Sequence, residues 1–251
     1  MTLTDKHIVV SGGGTGVGAE MAVRFAAAGA KVTILGRSPA PLAEVAAQIG
    51  AYAVTCDVTE RAAVDAALED AISKHGTIDI ALANAGAAQS VPFARMTPAD
   101  LDAMLSVNLT GVFNLWQASF AGMKKRGWGR LIAVASTAGL KGYPYVSGYC
   151  AAKHGVIGLT KSLALELAQT GVTVNALCPG FIKTPLLERS IANITKKTGM
   201  SANDAAAVLK AGNPQGRFIL TDEVAEAALW LCSDNARSIN GHALTISGGE
   251  I

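Results

Sequence analysis

The residues able to do proton chemistry in this chain gather at Ser136 and at the segment Tyr149-Cys150-Ala151-Ala152-Lys153. The run from Gly148 to Gln169 predicts a long helix, so Tyr149 and Lys153, four residues apart, share one helical face. That spacing holds an ammonium beside a phenol. A free phenol has a pKa of about 10, and a nearby cation favours the phenolate, bringing the group towards acid/base work near neutrality. Ser136 ends the apolar run Leu131 to Ala135, which reads as a buried strand, so its hydroxyl emerges at the strand's carboxyl end. Open α/β sheets bind ligands there, and a hydroxyl so placed can hold a carbonyl oxygen.

The elements that must position these groups can be followed along the chain. His7 to Val10 is a short β-branched run that stops at Ser11-Gly12-Gly13-Gly14-Thr15-Gly16-Val17-Gly18, and Ala19 to Ala28 then reads as helix. Strand, glycine turn and helix together form the context in which glycines let a backbone approach a pyrophosphate at a helix amino terminus. Lys31 to Leu35 is a second strand that ends at Gly36-Arg37-Ser38. A dinucleotide site that reads the unphosphorylated ribose carries an acid at this point. Here Arg37 can make a forked contact with a 2′-phosphate and Ser38 can add a donor; the alternative is that Arg37 is a solvated surface residue.

Ala51 to Thr55 is a third strand ending at Cys56-Asp57-Val58, where Asp57 is also placed to cap a helix from Arg61 to Lys74. Ile78 to Ala83 is a fourth, leading into Asn84-Ala85-Gly86. Thr97-Pro98-Ala99-Asp100 is a capped helix start, and that helix is expected to run through Asn108 to about Lys124. Asn108, between Val107 and Leu109, needs a polar partner if it is buried. Thr173 to Cys178 is a sixth strand, followed by Pro179-Gly180. The stretch 184–216 interrupts the alternation and reads as a lid, whose Leu186, Leu187, Ile191, Ile194 and Met200 can face a substrate. Thr221-Asp222-Glu223 caps a last helix reaching Leu231, and Ala243 to Gly249 closes the sheet.

Composition sets bounds on the function. Of 251 residues, 50% are hydrophobic and 16% charged, which suits strands covered on both faces and argues against disorder. The formal net charge of +2, with no long basic run, gives no reason to expect a nucleic-acid or membrane partner. The start Met-Thr-Leu-Thr-Asp-Lys holds no apolar signal core, and no apolar run is long enough to span a bilayer, so a soluble, cytoplasmic protein is expected. Cys56, Cys150, Cys178 and Cys232 are scattered without metal-ligand spacing and read as buried reduced thiols.

Ser136, the Tyr149-x-x-x-Lys153 spacing and the glycine-rich opening together resemble the short-chain dehydrogenase/reductase family, over almost the whole chain from His7 to Gly249. The resemblance implies a single-domain α/β fold: a doubly wound (Rossmann) parallel sheet of about seven strands with helices on both faces. It also implies hydride transfer between NADP(H), or else NAD(H), and a ketone or secondary alcohol, with no metal. By that resemblance Tyr149 exchanges the proton and Ser136 holds the carbonyl oxygen. Lys153 lowers the tyrosine pKa and binds the nicotinamide ribose, while Asn108 kinks its helix and holds a water beside the lysine. The cofactor wall it implies comprises Ser11, Gly12, Thr15, Gly16, Val17 and Gly18, then Arg37, Ser38, Asp57 and Val58 around the adenosine. Asn84, Ala85 and Gly86 shape its centre, and Pro179, Gly180, Ile182 and Thr184 hold the nicotinamide amide. Thr15 stands where many NADP-using members carry a basic residue, and Ala83 where the family has an asparagine.

The substrate side is expected from Val91, Phe93, Leu140, Tyr143, Pro144, Tyr145, Leu186 and Leu187, an apolar and aromatic set that suits a hydrophobic ketone, although the aromatic rings could equally be packing. The stretch Ser147 to Pro185 looks most like ketoacyl and polyketide ketoreductases and hydroxyacyl dehydrogenases. Lys196, Lys197 and Lys210 can meet a phosphate-bearing carrier such as coenzyme A or an acyl carrier protein, or form a solvated helix face. The family expectation for assembly is a homotetramer.

Overall fold

The structure, a computed structural model, describes residues 2–251. Seven strands form one parallel sheet in the order β3-β2-β1-β4-β5-β6-β7. They are β1 (His7–Ser11), β2 (Lys31–Gly36), β3 (Tyr52–Thr55), β4 (Ile80–Ala83), β5 (Gly129–Val134), β6 (Val172–Pro179) and β7 (Ala243–Ile246). The reversal of strand order falls between β1 and β4, and the crevice beyond their carboxyl ends is where such sheets bind ligands.

Alternation along the strands assigns each side chain to one of two helical layers. Ile8, Val10, Ile34, Ile80, Leu82, Ile132 and Leu177 point to the layer of α1 (Gly16–Ala27), α2 (Pro39–Ile49) and α9 (Thr221–Leu231), where Met21, Phe25, Leu42 and Val224 meet them. Val9, Leu35, Ala81, Ala83, Leu131, Ala133, Val174 and Ala176 point to α3 (Arg61–His75), α5 (Gly111–Arg126) and α6 (Ser147–Glu166), against Leu68, Leu115, Trp116 and Val156. Burial on both faces explains why the central strands read as unbroken apolar runs.

Two expected elements take a definite form. The helix expected from Thr97 through Asn108 to about Lys124 runs without a break from α4 (Pro98–Leu105) through a π turn at Ser106–Thr110 into α5. Its start is a complete capping box, with Asp100 N donating to Thr97 Oγ1 at 3.2 Å and Thr97 N to Asp100 Oδ2 at 2.9 Å. The 184–216 stretch is a helical hairpin, α7 (Pro185–Thr198) and α8 (Ala202–Lys210). Its two ends are joined at the base by a parallel bridge between Ile182 and Ile219, with Ile219 N donating to Phe181 O and Lys183 N to Ile219 O, both at 2.9 Å. The excursion therefore leaves the sheet edge and returns to one fixed point.

Candidate active site

The loop after β1 is shaped by close backbone approach. A Cβ added at Gly18 would stand 2.2 Å from Gly12 O and 2.5 Å from Asn84 Nδ2, so only glycine lets α1 start this close to the strand ends. Thr15, the N-cap of α1, makes no side-chain cap bond, and the first turn carries no acid. The first-turn N–H groups thus have no anionic side chain competing for them, and Gly16 faces Thr184 across this opening, its added Cβ 3.4 Å from Thr184 Cγ2. An uncapped helix start behind a glycine turn fits the pyrophosphate of a dinucleotide.

Beyond β2, Arg37 and Ser38 are exposed at the amino terminus of α2, and the Ser38 hydroxyl makes no cap bond. Arg37 Nη1 lies 3.9 Å from Asp57 Oδ2. Asp57 is not the cap of α3, whose N-cap residue is Glu60. Its Oδ1 accepts from Thr59 N at 3.0 Å and Thr59 Oγ1 at 2.9 Å, and these bonds, with Arg37 adding a smaller pull, hold the carboxyl below the usual aspartate range.

Two side chains expected at the cofactor are engaged within the protein. Ser11 Oγ is buried and accepts from Asn84 N at 3.0 Å and Ala85 N at 3.1 Å, so the hydroxyl ties β1 to the end of β4 rather than facing a ligand. The Val58 side chain is buried against Gly111, where an added Cβ would come within 2.7 Å of it, because α5 packs on this turn. Asn84 Nδ2 donates to Ser11 O and Gly12 O, bracing the crevice from beneath.

The proton-bearing groups converge at the carboxyl ends of β4 and β5. Ser136 follows β5, its Oγ accepting from Ala138 N at 3.1 Å. Lys153, on α6, is 3% exposed, donates from Nζ to Val134 O at 2.8 Å, and lies 5.6 Å from the centre of the Tyr149 ring. Asn108 sits in the π turn, fully buried. Its Nδ2 donates to Ala87 O at 2.8 Å and Met104 O at 3.0 Å, and its Oδ1 accepts from Ala87 N at 3.2 Å. A single point, the Cβ that Gly86 lacks, would lie 2.8 Å from Asn108 Oδ1 and 3.8 Å from Lys153 Nζ. The missing side chain leaves the lysine and the asparagine facing a common space.

The electrostatics correct one expectation. Burial pushes the Tyr149 phenol up to about 12, and a hydrogen bond from Ser136 pulls the other way without reversing it. Burial lowers Lys153 to about 8. The phenol is not brought towards neutrality here, because burial is the largest influence on both groups and disfavours the charged form of each. At pH 7 the phenol keeps its proton and the amine is mostly an ammonium.

On the substrate side, Leu140 is partly buried against the core, Val91 N donates to Tyr145 O at 2.8 Å, and Phe93 is 80% exposed. Tyr145 stands at φ 67°, a left-handed conformation that a bulky residue holds only where its surroundings enforce it. Leu186 is partly exposed, whereas Leu187 is buried as α7 folds down behind the Thr184 cap. Tyr143 is a packing residue rather than a free wall: its hydroxyl donates to Glu250 Oε1 at 2.6 Å and meets Thr137 Oγ1 at 2.7 Å, and its ring stands edge-on to Phe181. Glu250 was not among the expected site residues. An acid beside the chain end, after two glycines, carries no pattern, and only the folding of the tail brings it here. The last helix starts at Thr221 with Leu220 as its N-cap residue, and of the expected capping segment it is Glu223 that serves, accepting from Leu220 N at 2.8 Å and pairing with Arg217.

Comparison with known proteins agrees with this geometry. The family model described as short chain dehydrogenase matches residues 6–195. The chain is 36% identical to a D-beta-hydroxybutyrate dehydrogenase of Cupriavidus necator, covering 99% of both chains. It is 35% identical to a granaticin polyketide synthase putative ketoacyl reductase of Streptomyces violaceoruber, over 96% of this chain and 91% of the relative. A crystal structure of an actinorhodin polyketide ketoreductase with NADPH superposes with a TM-score of 0.95 at 32% identity, covering 100% of this chain and 99% of that one. The chain belongs to the short chain dehydrogenase family. It is an oxidoreductase acting on ketone and alcohol groups with a nicotinamide dinucleotide of the NAD(P) type.

Proposed function

We propose that the protein is an NADP(H)-dependent reductase of hydrophobic ketones, with ketoacyl-type or aromatic ketones as substrates. The observation that carries this reading is the convergence of Ser136, Tyr149, Lys153 and Asn108 beyond the carboxyl ends of β4 and β5. Bound NADP(H) supplies or takes up the hydride. Ser136 Oγ holds the carbonyl oxygen, and Tyr149, protonated at neutral pH, gives that oxygen its proton as the carbonyl becomes an alcohol. Lys153 keeps positive charge beneath the phenol and reaches the nicotinamide ribose, and Asn108 fixes the Gly86–Ala87 backbone beside it.

The opening between the start of α1 and Thr184 takes the pyrophosphate. Gly12, Thr15, Gly16, Val17 and Gly18 line one side, and Pro179, Gly180, Ile182 and Thr184 hold the nicotinamide amide on the other. Arg37 and Ser38 meet the 2′-phosphate, and Asp57 and the Asn84–Gly86 backbone border the adenosine. The α7–α8 hairpin, which carries Leu186, acts as the lid, closing over Leu140 and Tyr145; Lys197 Nζ, donating to Ser90 O at 3.1 Å, already links it to the facing loop. The exposed Lys196 and the half-buried Lys210 leave room for a substrate carried as a coenzyme A or acyl-carrier thioester. Phe113 on α5, Leu165 on α6 and Trp230 on α9 expose apolar surface that the neighbours in a homotetramer would cover. No helix among the described residues is long and apolar enough to cross a membrane, and we place the protein in the cytoplasm.

A second reading is an NAD-dependent dehydrogenase oxidising a secondary alcohol or a 3-hydroxyacyl thioester. It is favoured by the likeness to the D-beta-hydroxybutyrate dehydrogenase and by the pairing of Arg37 with Asp57, which occupies part of the arginine's charge. Fluorescence titration with NADPH and NADH, repeated with Arg37→Ala, separates the two. NADPH is expected to bind more tightly and to lose about tenfold in the variant, the worth of one charged hydrogen bond at an exposed position. Equal binding of both cofactors by both proteins would reject the phosphate site. Tyr149→Phe is expected to abolish ketone reduction while cofactor binding persists; retained turnover would reject the assigned acid.

A further inference from the structure

We propose that Glu250 is a positioning residue: its carboxylate latches the loop after Ser136, the segment after β6 and the end of the lid into one wall of the reacting pocket. The proposal rests on the reading of Ser136 and Tyr149 as the reacting groups. The Glu250 side chain is 3% exposed although it stands one residue from the chain end. Oε1 accepts from Tyr143 OH at 2.6 Å and from Lys141 Nζ at 2.9 Å. Because the tyrosine gives its proton to the carboxylate, Thr137 Oγ1 donates to it in turn, at 2.7 Å. That relay ends one residue from Ser136.

The other two partners meet the carboxylate through absent side chains. A Cβ at Gly212, just beyond α8, would stand 2.9 Å from Oε1, and one at Gly180, just beyond β6, would stand 3.2 Å from Oε2. The tail reaches this slot through Gly248 and Gly249, both in left-handed conformations, and Gly248 lies so close to Asn213 that it has no room for a side chain. A carboxylate is buried at acceptable cost only where a cation and hydrogen-bond donors meet it, and Lys141 and Tyr143 are those groups. Both come from the loop that carries the substrate-facing residues, so the Glu250 side chain fixes that loop against the nicotinamide side and the lid at once.

The test compares Glu250→Ala, the isosteric Glu250→Gln, Tyr143→Phe and the Glu250→Ala/Tyr143→Phe pair with the unaltered chain. Glu250→Ala and Tyr143→Phe are each expected to raise the ketone KM about tenfold, with kcat changed less than about threefold and NADPH Kd within about twofold. The pair should be no worse than the weaker single variant, since both break one relay. Glu250→Gln, which keeps the shape and loses only the charge, should fall between. Amide hydrogen exchange in Glu250→Ala should quicken together in residues 137–145 and 210–216. A lowered melting temperature with unchanged KM, additive losses in the pair, or exchange that quickens only at the tail would each overturn the latch. An unaltered chain that turns over no ketone would reject the reading of the site instead, and the exchange pattern would still decide the latch.

Discussion

Asn108→Ala separates a brace from a participant. The substitution removes three hydrogen bonds, two to Ala87 and one to Met104 O. Asn108 is fully buried and Ala87 half-buried, so the Ala87 N–H and C=O are left without partners in a space where water enters poorly. Each orphaned group costs about 1 kcal/mol at the low end for partial burial, and the Met104 carbonyl in the π turn adds less, giving about 2 to 3 kcal/mol in all. For a domain of this size that lowers the melting temperature by about 5 to 10 °C.

Asn114→Ala is the control. Its Nδ2 also serves backbone carbonyls, donating to Val58 O at 2.9 Å, yet its partners lie in the turn after β3 and not beside Gly86 and Ala87. Both variants are measured by thermal unfolding and by steady-state ketone reduction. Both should lose stability, but Asn108→Ala alone should lose kcat, by at least about tenfold, because Gly86 and Ala87 shift and the space shared with Lys153 Nζ changes shape. If the two variants lose stability and keep kcat alike, Asn108 is only a brace for the turn after β4, and the reasoning from the shared space fails.

Two further outcomes follow from burial of titratable groups. With Lys153 lowered to about 8 and Tyr149 raised to about 12, kcat/KM for ketone reduction should fall as pH rises through about 8, where the amine loses its charge while the phenol still holds its proton; the same profile for Lys153→Met should be flat there. Stability should depend on His7, which burial lowers to about 4. Its ring is held neutral, Nδ1–H donating to Gly76 O at 2.7 Å and Nε2 accepting from Thr33 Oγ1 at 2.9 Å. Between pH 6.5 and about 4 the unfolded chain binds a proton that the folded chain refuses, so stability is full above pH 6.5. It should fall by about 3 kcal/mol as pH drops to 4, as read by urea unfolding, and His7→Leu should lose that part of the slope.

Much of this protein is legible in the sequence because local chemistry is repeated at every level. Apolar strands such as Leu131 to Val134 announce burial on both faces, the glycines from Gly12 to Gly18 announce a turn that backbone must approach closely, and four-residue spacing puts Tyr149 over Lys153 whatever α6 packs against. Those features depend on neighbours in the chain. What the tertiary structure decided depends on neighbours in space. That the end of β4 takes the Ser11 hydroxyl, and that α5 packs over the Val58 side chain, shows only in the fold. The sign of the Tyr149 shift is a desolvation effect, set by how much protein surrounds the ring and invisible in residue spacing. Glu250 lies 107 residues from Tyr143 along the chain. Only the closure of β7 beside β6 carries the tail to Gly180 and Tyr143, so that contact belongs to the fold and had no trace in the sequence.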